Sequence, residues 1–305
     1  MVKRVLYFEN PAFLSLKYRN LVIRFPEDSG KETVETPIED VGVVVLDNPR
    51  ITITQALVAA LTENKTALVS CDSARMPTGL MLPLCGNTLQ SKIFRAQADL
   101  SLPLKKQIWK QVVSSKIRNQ GRILECEGLA SEPLLELANA VKSGDSENHE
   151  GQAAAYYWKT VFPSIPDFVR SRDGEPPNNL LNYGYAVLRA VVARSVVSAG
   201  LHPTLGIFHR NQYNAYCLAD DLMEPYRPFV DKAVLGIVAQ NSDMANMTRQ
   251  MKGRLYGIAV DDVLMGNVRR PLMAAVAQTV ASFVKTFSGD ARKLDLPDLP
   301  RYATL

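Results

Sequence analysis

Asn178–Gly200, NNLLNYGYAVLRAVVARSVVSAG, is the stretch whose reading decides the fold. The asparagines at its start have the short polar side chains that cap a helix, and Gly200 is a residue at which one stops. Between them nearly every position is apolar, apart from Arg189 and Arg194. The run from Tyr185 to Ala199 is too short and too charged to cross a bilayer, which takes about 20 apolar residues. A helix apolar on most sides belongs at the centre of a helical core. The pattern therefore predicts a helical second half built around residues 178–200.

That helix leads into Gly206–Asp231, GIFHRNQYNAYCLADDLMEPYRPFVD. His209 stands on one side of a short polar link, and Asp220, Asp221 and Glu224 stand on the other. An imidazole and carboxylates joined by a turn can hold a hard divalent metal. Acids at a helix start also serve as caps. Asp221 lies one helical step before Glu224 and shares its face, a supporting position for that carboxylate. Pro225 and Pro228 bend or restart the helix. Arg227, three positions after Glu224, either orients it or meets a phosphate.

On the other side of the central helix, Ser143–His149 is a polar loop in which Ser146 or Asn148 can cap the helix that follows. HEGQAAAYYWKTVF (149–162) puts Glu150 in the first turn, where a carboxylate also simply faces the helix dipole. Small residues at 153–155 allow close helix packing. Glu150, His209 and Glu224 then form a candidate catalytic and metal-ligand set from three separate segments. Two carboxylates cancel most of a divalent charge and a neutral imidazole adds a third bond. With no thiolate nearby, Mg²⁺ or Mn²⁺ fits better than zinc. His149 and His202 are the competing histidines; His202 precedes Pro203 and reads as a loop residue.

Leu104–Leu124 carries an apolar stripe through Ile108, Trp109, Val112, Val113 and Ile117, with Pro103 at its start and Gly121 marking weakening near its end. Trp109 is expected in the core. The other positions hold Lys105, Lys106, Lys110, Lys116, Arg118 and Arg122. Residues 86–125 contain eight Lys or Arg against two acids, whereas 126–165 contain two against six. A basic surface beside an acidic pocket suits a polyanion delivered to a metal, and two solvated faces would look the same. Lys105, Lys110, Lys116, Arg118 and Arg122 are the candidate DNA contacts here. Arg170 and Arg172, in a proline-rich loop, and Lys252 and Arg254, in TRQMKGR (248–254), extend the set.

Residues 4–83 read mainly as short strands: Arg4–Phe8, Phe13–Tyr18, Leu21–Phe25, Val41–Leu46 and Thr66–Ser70, with Asn20 in a tight turn. Thr54 caps a short helix reaching Asn64. This region has neither a glycine-rich phosphate loop nor a Ser-His-Asp arrangement. The reading is an α+β fold in two domains. Residues 1–75 form a β-rich dimerisation or partner domain, 76–90 a linker, and 91–305 an α-helical metal-binding catalytic domain. At 305 residues and a net charge of +4, the chain has the composition of a soluble globular protein. Cys71, Cys85, Cys126 and Cys217 lack CxxC spacing, which argues against a zinc ribbon or disulfide scaffold. Reduced thiols and the absence of a signal-peptide core in MVKRVLYFEN imply a cytoplasmic protein with no membrane role. The proline-rich end, LDLPDLPRYATL (294–305), is expected as a packed loop or a tail.

Taken together, KIRNQGRIL (116–124), HEGQAAAYYWKTVF (149–162), NNLLNYGYAVLRAVVARSVVSAGLHPTLGIFH (178–209) and DDLMEPYRPFVD (220–231) resemble the CRISPR-associated integrase. That family is the catalytic subunit of the spacer-acquisition complex, and the likeness is to its type II version. The resemblance implies that Glu150, His209 and Glu224 bind the metal. It also implies a β-sandwich N-terminal domain on an α-helical catalytic domain, and a homodimer. Two such dimers would bracket a dimer of a small ferredoxin-fold partner in a heterohexamer. The implied activity inserts short DNA fragments into a CRISPR repeat by 3′-hydroxyl attack, with endonuclease activity on branched DNA as its reverse. Two other readings compete: a non-catalytic DNA-binding scaffold, and a general metal nuclease without integration.

Overall fold

The computed structural model of the protein describes residues 3–300 apart from residue 242. The first third builds β1 (Arg4–Phe8), β2 (Phe13–Lys17), β3 (Asn20–Arg24), β4 (Val34–Pro37), β5 (Val41–Leu46), β6 (Thr52–Ile53), α1 (Gln55–Glu63), β7 (Ala67–Cys71) and β8 (Pro77–Met81). The strands form two four-stranded sheets, ordered β1-β5-β7-β8 and β4-β3-β2-β6. β5 runs parallel to β1 and β7, while β8 is antiparallel to β7. β8 falls inside the segment read as a linker. Asn20, expected in the turn, opens β3 opposite Lys17 instead. Tyr18 and Arg19 make the turn, with φ of 47° and 63°.

The continuous apolar run of β5 follows from burial on both faces. Val41 and Val44 join Leu14, Leu21, Ile23 and Leu57 in the core between this sheet and its neighbours. Val43 and Val45 face the other way, into the helical body. The first sheet is thus the shared wall between the two halves. Thr54 caps α1 as expected, its hydroxyl accepting from the Leu57 amide.

The helical body comprises α2 (Gln90–Ala98), α3 (Leu102–Cys126), α4 (Glu132–Ala140), α5 (His149–Thr160), α6 (Asn178–Ser198), α7 (Cys217–Met223), α8 (Arg227–Gln240), α9 (Arg249–Gly257) and α10 (Leu272–Lys285). α6 is the central helix, buried along most of its length and packed against α7, α8, α9 and α10. Gly184 lets α8 approach closely, because a Cβ there would sit 2.4 Å from Val230 Cγ1. α3 begins at the Ser101 cap and passes unbroken through Gly121 to Cys126. Gly121, read as a weakening near the helix end, is a packing position, where a Cβ would meet Leu135 Cδ2 at 3.1 Å.

A third sheet, unforeseen in the sequence, has the order β10-β9-β11, from β9 (Asp262–Met265), β10 (Val268–Pro271) and β11 (Pro297–Asp298). It pins Leu294 and Leu299 into the core. The chain end thus packs through Pro300; residues 301–305 of the expected tail lie outside the described residues. No cysteine is disulfide-bonded. No helix among the described residues is long and apolar enough to cross a membrane.

Candidate active site

Glu150 is placed by a double cap. Asn148, at φ 54°, accepts from the Gly151 amide at 3.2 Å and so starts α5. Asp145 accepts from the backbone amides of His149 at 2.9 Å and Glu150 at 3.0 Å. These bonds satisfy donors that a helix start leaves open. They hold the Glu150 backbone while its side chain, 22% exposed, reaches toward α3. His149 points elsewhere, its ring turned to Asp145 and Glu147.

Glu224 follows α7 at the point where Pro225 tightens the helix into a 3₁₀ turn before α8. Its carboxylate is buried. Burial alone would raise its pKa, but the positive charges of Arg227, Lys116 and His209 hold it below the ordinary glutamate value. Arg227 Nε lies 2.8 Å from Glu224 Oε1, and its guanidinium stacks over the Tyr185 ring at 4.7 Å. Of the two roles open to Arg227, the structure places it against Glu224.

The two carboxylates meet at a cation supplied by the chain itself. Lys116 Nζ lies 2.6 Å from Glu150 Oε1 and 2.6 Å from Glu224 Oε2. Glu224 Oε2 is buried and accepts no directed hydrogen bond, so its contact with Lys116 is ionic. Burial works against the Lys116 charge, but Glu224 and Glu150 outweigh it and raise the pKa. Lys116 was expected at a DNA backbone. Here the ammonium is instead held between the two acids, its side chain 13% exposed.

His209 is fixed by Asp221, which is fully buried. One carboxylate oxygen of Asp221 accepts from the Ile207 amide at 2.5 Å and the Phe208 amide at 2.9 Å. The other takes the His209 amide at 3.2 Å and the ring Nδ1 at 2.5 Å. Gly206 makes this turn possible, since a Cβ there would lie 2.4 Å from the His209 carbonyl oxygen. The hydrogen bond that the His209 ring donates to Asp221 raises its pKa against the opposing effect of burial, and the Asp221, Glu224 and Glu150 charges add to it. Binding Nδ1 leaves Nε2 as the ring nitrogen available to a ligand. Asp221 thus acts on His209 and its loop, although its spacing suggested support for Glu224. Asp220 is committed elsewhere, to Arg189 at 2.6 Å and Asn214 at 2.6 Å.

Two further positioning residues escaped the sequence reading. Trp109 is in the core as expected, but its ring also stacks on Phe208 at 4.4 Å and meets His209 edge-on at 5.7 Å. Gln97, buried on α2, clamps the loop before the site by donating to the carbonyls of His202 at 3.0 Å and Leu205 at 2.9 Å. Gln97 lies four and three residues after Ile93 and Phe94, on the apolar side of α2, a position the sequence reading passed over.

The other expected DNA contacts divide. Lys252 is 3% exposed and paired with buried Asp47 at 3.0 Å, so its assignment to DNA is also corrected. Arg122 binds the Leu299 carbonyl at 2.8 Å and Asp298 at 3.2 Å. Arg170 binds Asn178 and Asn182, at 2.9 and 2.7 Å, and Arg254 pairs with Asp261 at 2.7 Å. Lys110 and Arg118 line a cavity of about 710 Å³ along α3. Lys105 lines the cavity that contains His209, and Arg172 is exposed.

Glu150 and Glu224 therefore converge, and His209 lies within their electrostatic reach. Among the described residues, no three His, Cys, Asp or Glu side chains stand close enough to enclose an ion in this arrangement. The donor set nevertheless fits a hard divalent cation. Two carboxylates already close on one positive charge, one of them buried, beside an imidazole oriented by a carboxylate.

The family described as CRISPR associated protein Cas1 matches residues 5–256. A CRISPR-associated endonuclease Cas1 from Neisseria meningitidis serogroup C is 37% identical over 302 residues, covering 98% of this chain and 97% of the relative. A second such endonuclease, from Pyrobaculum aerophilum, is 28% identical over 82% of this chain and 89% of its own. Among solved structures, a casposase bound to integration product superposes with a TM-score of 0.78 at 20% identity, over 99% of this chain and 94% of that one. A CAS1 protein from Thermotoga maritima superposes at 0.71 and 16% identity, covering 94% and 98%. A Cas6-RT-Cas1–Cas2 complex contains a chain that matches at 0.74 and 19% identity, over 98% of this chain and 36% of its own.

Proposed function

The chain belongs to the Cas1 family, and from that premise we propose that Glu150, His209 and Glu224 form the centre at which it cuts and joins DNA. The activity is that of a CRISPR spacer integrase and endonuclease. The observation that carries the assignment of residues is the convergence of Glu150 and Glu224, from α5 and the α7–α8 junction, on the single Lys116 ammonium. Two acids, one of them buried, that already close on a cation are a site ready to accept a different one.

Mg²⁺ or Mn²⁺, when bound, polarises the phosphodiester and stabilises charge on the attacking and leaving oxygens. Everything else falls to the chain. Asp221 keeps Nδ1 of His209 occupied and so offers Nε2 to the ion. Arg227 keeps Glu224 ionised and oriented. Lys105, Lys110, Arg118 and Arg172 remain the solvent-facing candidates for the DNA backbone.

The proposed substrates are a short DNA fragment and the CRISPR repeat. The proposed assembly is a homodimer joined to a dimer of a small ferredoxin-fold partner, with residues 1–75 as the docking domain. Solved relatives described as Cas1–Cas2 complexes support this reading. A fragment with free 3′-hydroxyls, incubated with a supercoiled repeat plasmid, tests the function. Joined product that disappears in Glu150→Ala, His209→Ala and Glu224→Ala supports it. Cutting without joining points to a general nuclease, and metal-independent binding with no covalent product points to a scaffold.

A further inference from the structure

Asp231, on α8, is 1% exposed and forms no ion pair among the described residues. A carboxylate taken out of water without a cation is costly, and hydrogen bonds to its charge must compensate. Two buried tyrosines supply them. The Tyr185 hydroxyl donates to Oδ1 and the Tyr157 hydroxyl to Oδ2, the latter at 3.1 Å. A carboxylate is planar and rigid, and hydrogen bonds to it are strong and directional. The two hydroxyls are therefore held at one fixed separation.

Each tyrosine leads to one of the two glutamates. Tyr157 follows Glu150 on α5 by two turns, about 10 Å along the same face. A helix is stiff over that length, so fixing Tyr157 fixes the rotation of α5 and the direction in which Glu150 leaves it. Tyr185, on α6, presents its ring to the Arg227 guanidinium at 4.7 Å, and Arg227 Nε stands 2.8 Å from Glu224 Oε1. A phenol that donates to a carboxylate has a more electron-rich ring, which is a better seat for a cation. Asp231 is itself one turn after Arg227 on α8. One buried carboxylate thus joins the helix that carries Glu150 to the arginine that holds Glu224.

We propose that Asp231 is a positioning residue for the metal centre and that, through Tyr157 and Tyr185, it sets the separation of Glu150 and Glu224. The inference rests on the proposed ligand set and adds what holds that set to the size of a cation. Asp231 bonds to neither glutamate and acts only through the tyrosines. Ligands already held at their working distance take up an ion without first being ordered. Loosening either tyrosine therefore costs affinity for the ion and leaves the chemistry of the loaded centre alone.

Tyr157→Phe and Tyr185→Phe each delete one hydroxyl and keep the ring, so the core packing and the seat under Arg227 survive. Mn²⁺ binding is read by calorimetric titration without DNA. Each variant is expected to bind Mn²⁺ about tenfold more weakly than the wild type. In joining assays the Mn²⁺ concentration for half-maximal rate rises by the same factor, and the rate at saturating Mn²⁺ is retained. On an Asp231→Ala background neither tyrosine substitution weakens Mn²⁺ binding further, because both act through that carboxylate. Tyr183→Phe is the control. It removes a buried hydroxyl on the same helix that pairs with Tyr256, outside this path, and is expected to leave Mn²⁺ affinity unchanged. Undiminished Mn²⁺ affinity in both Tyr157→Phe and Tyr185→Phe would overturn the proposal. So would an equal loss in Tyr183→Phe, which is the mark of a generally loosened core. Mn²⁺ binding that survives Glu150→Ala and Glu224→Ala overturns the ligand set itself, and the positioning role with it. Binding lost in those two variants but intact in both tyrosine variants overturns the positioning role alone.

Discussion

Lys116 and Glu224, far apart in sequence, stand 2.6 Å apart in the interior, the ammonium against a carboxylate oxygen that accepts no directed hydrogen bond. The lysine also touches Glu150, so one positive charge is shared between two acids. Removing it takes the cation from between them and leaves Glu224 with Arg227 and His209 alone against its buried charge. Lys116→Met is therefore expected to destabilise the metal-free protein by on the order of 3 kcal/mol. Mn²⁺ is expected to recover more stability in this variant than in the wild type. Urea denaturation in EDTA and in Mn²⁺ measures both, and equal stability of the two proteins in EDTA would contradict the pairing.

Asp221 accepts from three consecutive backbone amides and the His209 ring. Asp221→Asn retains the shape but surrenders an acceptor and the charge that orients the imidazole. Mn²⁺ affinity is expected to fall roughly 10- to 100-fold, read by calorimetric titration, with an unchanged circular dichroism spectrum.

Asp231 lies outside the proposed ligand set and gives a pH signature of its own. Burial pushes its pKa up to about 6, against the hydrogen bonds donated by the hydroxyls of Tyr185 and Tyr157. Between its ordinary value of 3.8 and about 6, the folded state binds more protons than the unfolded state. The contribution to stability of this group therefore falls as pH rises through that window. Relative to Asp231→Asn, the wild type is expected to gain on the order of 2–3 kcal/mol between pH 7 and pH 4. Urea unfolding of both proteins across that range checks it; a constant difference would be the contrary result.

Lys252 and Asp47 link α9 to the strand end of the N-terminal half through a pair almost wholly out of water. Lys252→Met is expected to destabilise by on the order of 3–5 kcal/mol, and Asp47→Asn combined with it to recover part of the loss. DNA binding in the surviving folded protein should keep its salt slope, because Lys252 neutralises no phosphate. A shallower slope would return Lys252 to the DNA surface.

The helical half was legible because α6 is apolar almost throughout and bounded by polar and glycine residues. β5 was legible for a related reason, since burial on two faces leaves an unbroken apolar run. Lys116 was misread because its helix carries other lysines that do face water. Its position held the missing signal: it sits three and four residues after Val113 and Val112, on the apolar stripe. Lys252 repeats the pattern, with Leu255 and Tyr256 three and four residues later. A lysine on an apolar stripe announces a buried partner, but the partner lies in another segment and stays hidden. The third sheet was illegible because β11 is two residues long and owes its existence to pairing with distant Met265 and Leu264. The Asp221 turn needed both Gly206 and a carboxylate on a later helix, a non-local match that spacing cannot reveal.

Anomalous diffraction from crystals soaked in Mn²⁺ is the most direct measurement of the metal centre. A single peak is expected in contact with Glu150, His209 and Glu224, with the Lys116 ammonium withdrawn from both carboxylates. Crystals that take up Mn²⁺ elsewhere, while Lys116 remains clasped between the two glutamates, would contradict the assignment.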